Sequence, residues 1–278
     1  MNTCSIYIFE AGSTKTDVIV YNGNTKVKLS LSGFNPNRAD SNFSEELDKL
    51  NIPLEAEIHF YGSGINDRLN KQKVADLFHT KKITVNSDAL GASRALLNRS
   101  EGIVCILGTG GNVLYYDGSE IIDNHGGYGY LIDDYGGGLE LSKIIVSNWL
   151  NNNLSPESSK SITEYFSVSK LDFVSQFYQN VDLHRLAGVC KIIPKLALKD
   201  DYLSLVIKNY FDVFIDRHLY SMCKKHNNFK VNLVGSIALY YYDWIEKATV
   251  TKGIIINKTL TKPIDELLEF HLSNNDGL

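Results

Sequence analysis

Residues 8–22, IFEAGSTKTDVIVYN, run from an apolar strand through a short turn of small, hydroxyl-bearing and charged residues into a second apolar strand. Residues 103–118, IVCILGTGGNVLYYDG, repeat the plan. A chain that opens twice in this way is expected to form two α/β domains of similar design, each beginning with a hairpin whose tip is rich in glycine or hydroxyls, facing each other across a cleft.

Between the openings, the first half should hold strands at 5–9, 17–22 and 26–32 as an antiparallel meander, a helix around 44–50, a strand at 57–64 and a helix over 66–79. A strand at 82–87 and a helix at 88–98 then alternate, which predicts parallel pairing for the later strands. After the polar stretch NRSEG, 98–102, the second half should place strands at 103–107, 112–118 and 119–122 before a helical region, 137–226. There Leu203, Ile207, Tyr210, Phe211, Phe214 and Ile215 recur at the helical period and are expected in the core. A strand at 230–236, a helix at 237–248, a strand at 253–257 and an amphipathic helix with Pro263 in its first turn end the sequence.

With 278 residues, 44% of them hydrophobic, the chain can bury a sizeable core. Its net charge of −4 lacks the basic excess that a phosphate backbone demands, so the expected partner is a small molecule and not nucleic acid. Cys4, Cys105, Cys190 and Cys223 form no Cys-x-x-Cys pair and three lie in apolar runs, as in a reduced cytoplasmic protein. No segment reaches the roughly 20 apolar residues of a membrane span, so a membrane partner is not expected.

The turn Gly12-Ser13-Thr14-Lys15-Thr16 offers close backbone approach and hydroxyl donors, as a triphosphate needs, but is equally a solvated polar hairpin turn. It is not a Walker loop. The second turn, ILGTGGN at 106–112, ends a buried strand in bare backbone amides, which favours an anion clamp over a bland glycine hairpin. Asp88 opens a helix, where it is either an N-cap or a carboxylate placed to accept a proton. Ser236 after Gly235 reads alone as a helix cap, and His125, beside glycines, as a hydrogen-bonding loop histidine or a ligand contact.

The ordered set EAGSTKTD, GFNPN, YGSGI, SDALGASRALL, GIVCILGTGGN, HGGYGYLIDDYGGG and VGSIALYY, spread over residues 5 to about 272, resembles the N-acetylglucosamine kinase branch of the BadF/BadG/BcrA/BcrD-type ATPase family, within the actin, sugar kinase and Hsp70 superfamily. The resemblance implies a two-domain actin-like ATPase (ribonuclease H-like) α/β fold with an interdomain nucleotide cleft. Its domains would be 1–100 and 101–261, the second carrying a helical insertion, with a final helix at 262–278 packing back on the first. It implies ATP and Mg2+ as cofactors: Gly12, Ser13, Thr14 and Lys15 at the β- and γ-phosphates, Gly108, Thr109 and Gly110 as the opposing phosphate loop, Gly235 and Ser236 at the adenosine, and Glu10 holding magnesium through water. Asp88 becomes the general base, and Asn35, Asn112, Gly127, Tyr128 and Asp133 the sugar contacts.

Family members usually carry aspartate where Glu10 stands, and Gly-Asp-Glu-Gly-Ser-Gly where residues 132–137 read Ile-Asp-Asp-Tyr-Gly-Gly. The extra methylene of Glu10 displaces its carboxylate by about 1.5 Å, and Tyr135 sets a large ring in the loop expected to border the sugar. These departures keep a second reading in play, a weakened or inactive nucleotide or sugar sensor. A BadF-type activator ATPase is a third, but its iron–sulfur cluster needs cysteines in suitable places. A homodimer is left open.

Overall fold

The computed structural model describes residues 5–12, 15–37, 42–65 and 67–275. Two compact units divide the chain: unit 1 comprises Met1–Ser100, Gly118–Glu120 and Lys262–Leu278, and unit 2 comprises Glu101–Asp117 and Ile121–Thr261.

Unit 1 starts with β1 (Ile6–Ala11), β2 (Lys15–Tyr21) and β3 (Lys26–Ser32), followed by α1 (Asn42–Asp48), β4 (Glu57–Gly62), α2 (Arg68–Ala75), β5 (Ile83–Ser87) and α3 (Asp88–Leu97). The first three strands form the expected antiparallel meander, while β4 and β5 join in parallel, giving the order β3-β2-β1-β4-β5. Successive residues of a strand face opposite sides. Phe9 and Phe60 therefore build one face with Phe34, Phe43 and Phe78, while Ile8, His59 and Tyr61 serve the other.

Unit 2 repeats the order. β6 (Gly102–Leu107), β7 (Gly111–Tyr116) and β8 (Ile121–Gly126) are antiparallel, and β9 (Lys230–Val234) and β10 (Ile255–Leu260) are parallel, in the order β10-β9-β6-β7-β8. Between β8 and β9 run α4 (Gly138–Leu150), α5 (Pro156–Phe166), α6 (Lys170–Gln179), α7 (Leu183–Gly188), α8 (Ile193–Ala197), α9 (Asp201–Phe214), a π-helical turn (Ile215–Leu219) and α10 (Tyr220–His226). All six apolar residues expected in this region's core are buried. After β9 come α11 (Ser236–Tyr240) and α12 (Tyr242–Val250), and after β10 comes α13 (Ile264–Asn275).

Several boundaries depart from the sequence expectation for local reasons. The helix expected at 237–248 is two helices because Tyr241, with φ −116° and ψ 19°, leaves helical geometry to donate its buried hydroxyl to the Cys190 carbonyl at 2.8 Å. Asp67 caps α2 by accepting from Asn70 N, so that helix starts two residues late. Pro263 precedes α13, its carbonyl accepting from Leu267 N at 3.0 Å. This last helix packs against β1, β2 and α3 of unit 1, burying Ile264, Leu267, Leu268 and His271.

Candidate functional site

The β1–β2 hairpin sets the first group of residues. Gly12 N donates to Lys15 O at 2.9 Å, and Phe34 N to Gly12 O at 3.1 Å, so the base of the turn is fixed on both sides. Ser13 and Thr14 lie outside the described residues. Glu10, at the end of β1, pairs across the hairpin with Asp17. Burial, with the charges of Asp17 and Asp88 added, pushes the Glu10 carboxyl up to about 7, against the pull of Lys262 and Lys15. Burial also favours the protonated form of Asp17, but Lys15, at 2.7 Å, and Lys262 outweigh it and hold Asp17 below the ordinary range.

Asp88 is not the cap of α3. Ser87 takes that position, its hydroxyl accepting from Leu90 N at 3.2 Å, and Asp88 is the first helical residue, with Oδ1 accepting from Ala89 N at 2.8 Å. Burial raises its carboxyl above the usual value, partly offset by that amide. The motifs around residues 35 and 64 also come together: a methyl at Gly64 would meet Asn35 Oδ1 at 2.8 Å, and Asn70 Nδ2 donates to Gly64 O at 2.9 Å. Asn35 Oδ1 accepts from Asn37 N at 2.9 Å.

In unit 2 the turn from β6 to β7 leans on the start of α4. Gly108 O and Thr109 O accept from Gly138 N and Leu139 N at 2.8 and 2.9 Å, using the first amides of that helix. The N–H groups of Thr109 and Gly110 meet no acceptor among the described residues, and Thr109 is exposed. Gly235 has φ +117°, and a methyl there would lie 2.4 Å from Leu107 O, so only glycine lets β9 pass that close to the turn. Gly235 is also the N-cap of α11 and no side chain caps this helix; Ser236 is therefore not its cap and stands exposed.

The proposed sugar contacts of unit 2 cluster at the ends of β7 and β8. Gly127, at φ +70°, lies on Asn112, whose Cγ and Nδ2 would be 2.6 Å from an added methyl, and Asn112 Oδ1 is buried without a partner among the described residues. Tyr128 N donates to Asp133 O at 3.0 Å, closing the loop, while the Tyr128 side chain is exposed. Asp133 Oδ1 stands 3.2 Å from His218 Nε2. His125 is a hydrogen-bonding residue, with Nδ1 3.1 Å from Ser221 Oγ. The Tyr135 ring stacks on Tyr210 at 5.2 Å between centroids and packs on the core, so its bulk is absorbed inside unit 2.

No family model matches the chain. Among solved structures, the chain is similar to the provisionally named N-acetylglucosamine kinase of Porphyromonas gingivalis, with 26% identity and a TM-score of 0.85 over 97% of this chain and 99% of that one. It is also similar to the provisionally named N-acetylglucosamine kinase of Chromobacterium violaceum, at 13% identity and a TM-score of 0.77 over 97% and 99%. A non-polymerising mutant of MamK bound to AMPPNP aligns over 99% and 100%, at 11% identity and a TM-score of 0.57. The fold is that of the actin-like ATPases.

Within this actin-like fold, four polar residues escaped the sequence reading as site candidates. Lys262 holds Asp17 from 245 positions away, a pairing that no local pattern announces. Asp134 accepts from Gly129 N, and its Oδ2 would lie 2.9 Å from a methyl at Gly110, so it braces the glycine turn. Asp17 stood in the sequence where the first turn meets the second strand, with no role of its own assigned to it. His218 did leave a signal: it follows Phe214 by four positions, on a helix face otherwise apolar.

Among the described residues no three or more acidic, histidine or cysteine groups converge as a metal cage. The Glu10 carboxyl is raised chiefly by burial and further by the charges of Asp17 and Asp88; a cation held on it through water would relieve that like-charge repulsion. The described cysteines, Cys105, Cys190 and Cys223, are buried free thiols, and burial pushes Cys190 up to about 11 and Cys223 to about 12, as expected of apolar packing residues. No helix among the described residues is long and apolar enough to cross a membrane.

Proposed function

We propose that this chain is an ATP-dependent sugar kinase, acting in the cytoplasm on a hydroxyl of an N-acetylated amino sugar, N-acetylglucosamine or a related hexosamine. The observation that carries the reading is Asp88: a carboxylate at the start of a helix, relieved of capping by Ser87, raised by burial, and electrostatically linked to Glu10 at the end of the hairpin. The whole-chain likeness to two provisionally named N-acetylglucosamine kinases supports the substrate class.

In this reading Asp88 accepts the proton of the sugar hydroxyl as its oxygen attacks the terminal phosphorus and the bond to the departing ADP breaks. Gly12, Ser13, Thr14 and Lys15 bind the β- and γ-phosphates, and the free N–H groups of Thr109 and Gly110, with Gly108, bind phosphate oxygens. Gly235 and exposed Ser236 take the nucleoside. Asn35, Asn112, Gly127, Tyr128 and Asp133 hold the sugar, with the orphaned Oδ1 of Asn112 supplying an acceptor. Glu10 is the residue that would hold magnesium through water, and the ion would supply countercharge to the phosphates.

ADP release measured with N-acetylglucosamine, its isomers and muramic derivatives tests the proposal. Asp88→Asn should lower kcat by roughly 10²- to 10⁴-fold with ATP binding retained in calorimetry. Wild-type protein that consumes no ATP with any of these sugars would overturn it.

Glu10 favours one alternative, a sugar or nucleotide sensor, because its longer, half-neutral side chain is poorly matched to strict magnesium geometry. Binding without turnover, with phosphorylation gained in Glu10→Asp, would select the sensor.

A further inference from the structure

His218 is 5% exposed and belongs to the π-helical turn, where Tyr220 N reaches back to Ile215 O. Such a turn inserts one residue into a helix and re-aims the side chains around it, at some cost in hydrogen-bond quality, and it is over-represented at functional sites. Here the ring comes to β8, with Cε1 3.7 Å from where a methyl on Gly126 would be, and Nε2 3.2 Å from Asp133 Oδ1. The contact is short but out of line for a hydrogen bond, and Nε2 has no other partner among the described residues.

The backbone beneath the ring is held firmly. His218 O accepts from Ser221 Oγ at 3.0 Å, and His125 Nδ1 lies 3.3 Å from the same carbonyl. Burial keeps the imidazole neutral, against the opposing pull of Asp133, so the ring can offer one N–H. Two more buried polar atoms in this corner, Asn112 Oδ1 and Asn124 Oδ1, are also without partners among the described residues. Unpaired buried atoms on two strands and a helix are costly unless a polar ligand completes them.

We propose that His218 is the positioning residue of Asp133: its Nε2–H orients the carboxylate so that both oxygens can receive sugar hydroxyls, and the π-helical turn exists to bring the ring there. The role rests on the assignment of Asp133 to the sugar. Binding aligns the loose contact, because a carboxylate engaged by hydroxyls turns toward its buried donor.

The test measures sugar affinity by calorimetry, and KM and kcat where turnover occurs, for wild type, Asp133→Asn, His218→Phe, His218→Gln and the double variant Asp133→Asn/His218→Phe. N-Acetylglucosamine is the probe. His218→Phe keeps a buried ring but no donor, and should weaken the sugar roughly tenfold, the worth of a hydrogen bond to a charged group, with a smaller effect on kcat and none on the KM for ATP. Glutamine places Nε2 as many bonds from the backbone as histidine does and should recover affinity to within about threefold. The double variant should be no weaker than Asp133→Asn alone. If Asp133→Asn weakens the sugar and His218→Phe does not, the positioning role falls while the sugar site stands. Equal losses in the Phe and Gln variants with a lowered Tm also overturn it, as a packing effect. No loss in Asp133→Asn, or no sugar affinity in wild type, overturns the parent assignment with it.

Discussion

Glu10 shares its end of the hairpin with two other carboxylates, and its titration should be visible in stability. Folded, it holds its proton up to about 7, while the unfolded side chain releases it near 4.5. The folded state therefore binds more protons between those values, and this contribution is present below 4.5 and lost as pH rises through 7. Glu10→Gln removes the loss, so the variant should gain on wild type by at most about 3 kcal/mol between pH 4.5 and 8 in urea titrations. His271 works the other way. Its ring stacks on His59 at 3.4 Å and bonds to the Tyr61 hydroxyl, and burial, with His59 and Arg94, drives it down to about 3. Unfolded histidine takes a proton at about 6.5, so stability is full above that value and falls as pH drops toward 3. His271→Phe should flatten the decline in Tm between pH 6.5 and 5. Glu10 and Asp88 stood out as candidates in the sequence because one precedes the hairpin turn, the other opens a helix, and both fall in segments that carry the family resemblance. Lys262 did not, since its partner is fixed only by three-dimensional packing.

The paired hairpins and their glycine turns could be read directly, because alternation and turn chemistry act over a few neighbouring residues. What escaped depends on remote partners: the break at Tyr241 answers to Cys190, and the π-helical turn at Ile215–Leu219 leaves the periodic pattern of α9 intact until the ring of His218 is located. Tyr241→Phe keeps the ring and strands the buried Cys190 carbonyl, which should cost about 1–3 kcal/mol in urea unfolding. Gly235→Ala is the harsher change. Its methyl would collide with Leu107 O while occupying a φ that L-residues rarely adopt, so a loss of at least about 2 kcal/mol is expected, with weaker ATP binding in calorimetry. A hollow of about 530 Å³ among Phe166, Phe173, Phe177 and Arg185 includes none of the glycine-turn residues in its lining. Arg185 there donates to the Phe166 carbonyl at 2.6 Å.

At the scale of the molecule, each five-stranded sheet has the same strand order, which is why the sequence seemed to begin twice. The units differ in closure. Unit 2 needs only residues between Glu101 and Thr261, whereas unit 1 depends on α13 from the far end of the chain. Leu267 is fully buried there, Lys262 holds Asp17, and Asp265 pairs with Lys26 and Lys28 on the edge strand β3. Leu267→Ala should cost about 2–5 kcal/mol in unit 1. A variant ending at Thr261 should lose the fragments of residues 5–100 first in limited proteolysis, while those of 121–261 persist. Translation adds a timing constraint. The nascent polypeptide makes the strands of unit 1 before unit 2 and the closing helix α13 after it, so unit 1 is finished only once unit 2 has been made. Until that helix leaves the ribosome, the Tyr61 side of the sheet is covered by α3 but not by α13, and chaperones have that interval in which to bind it.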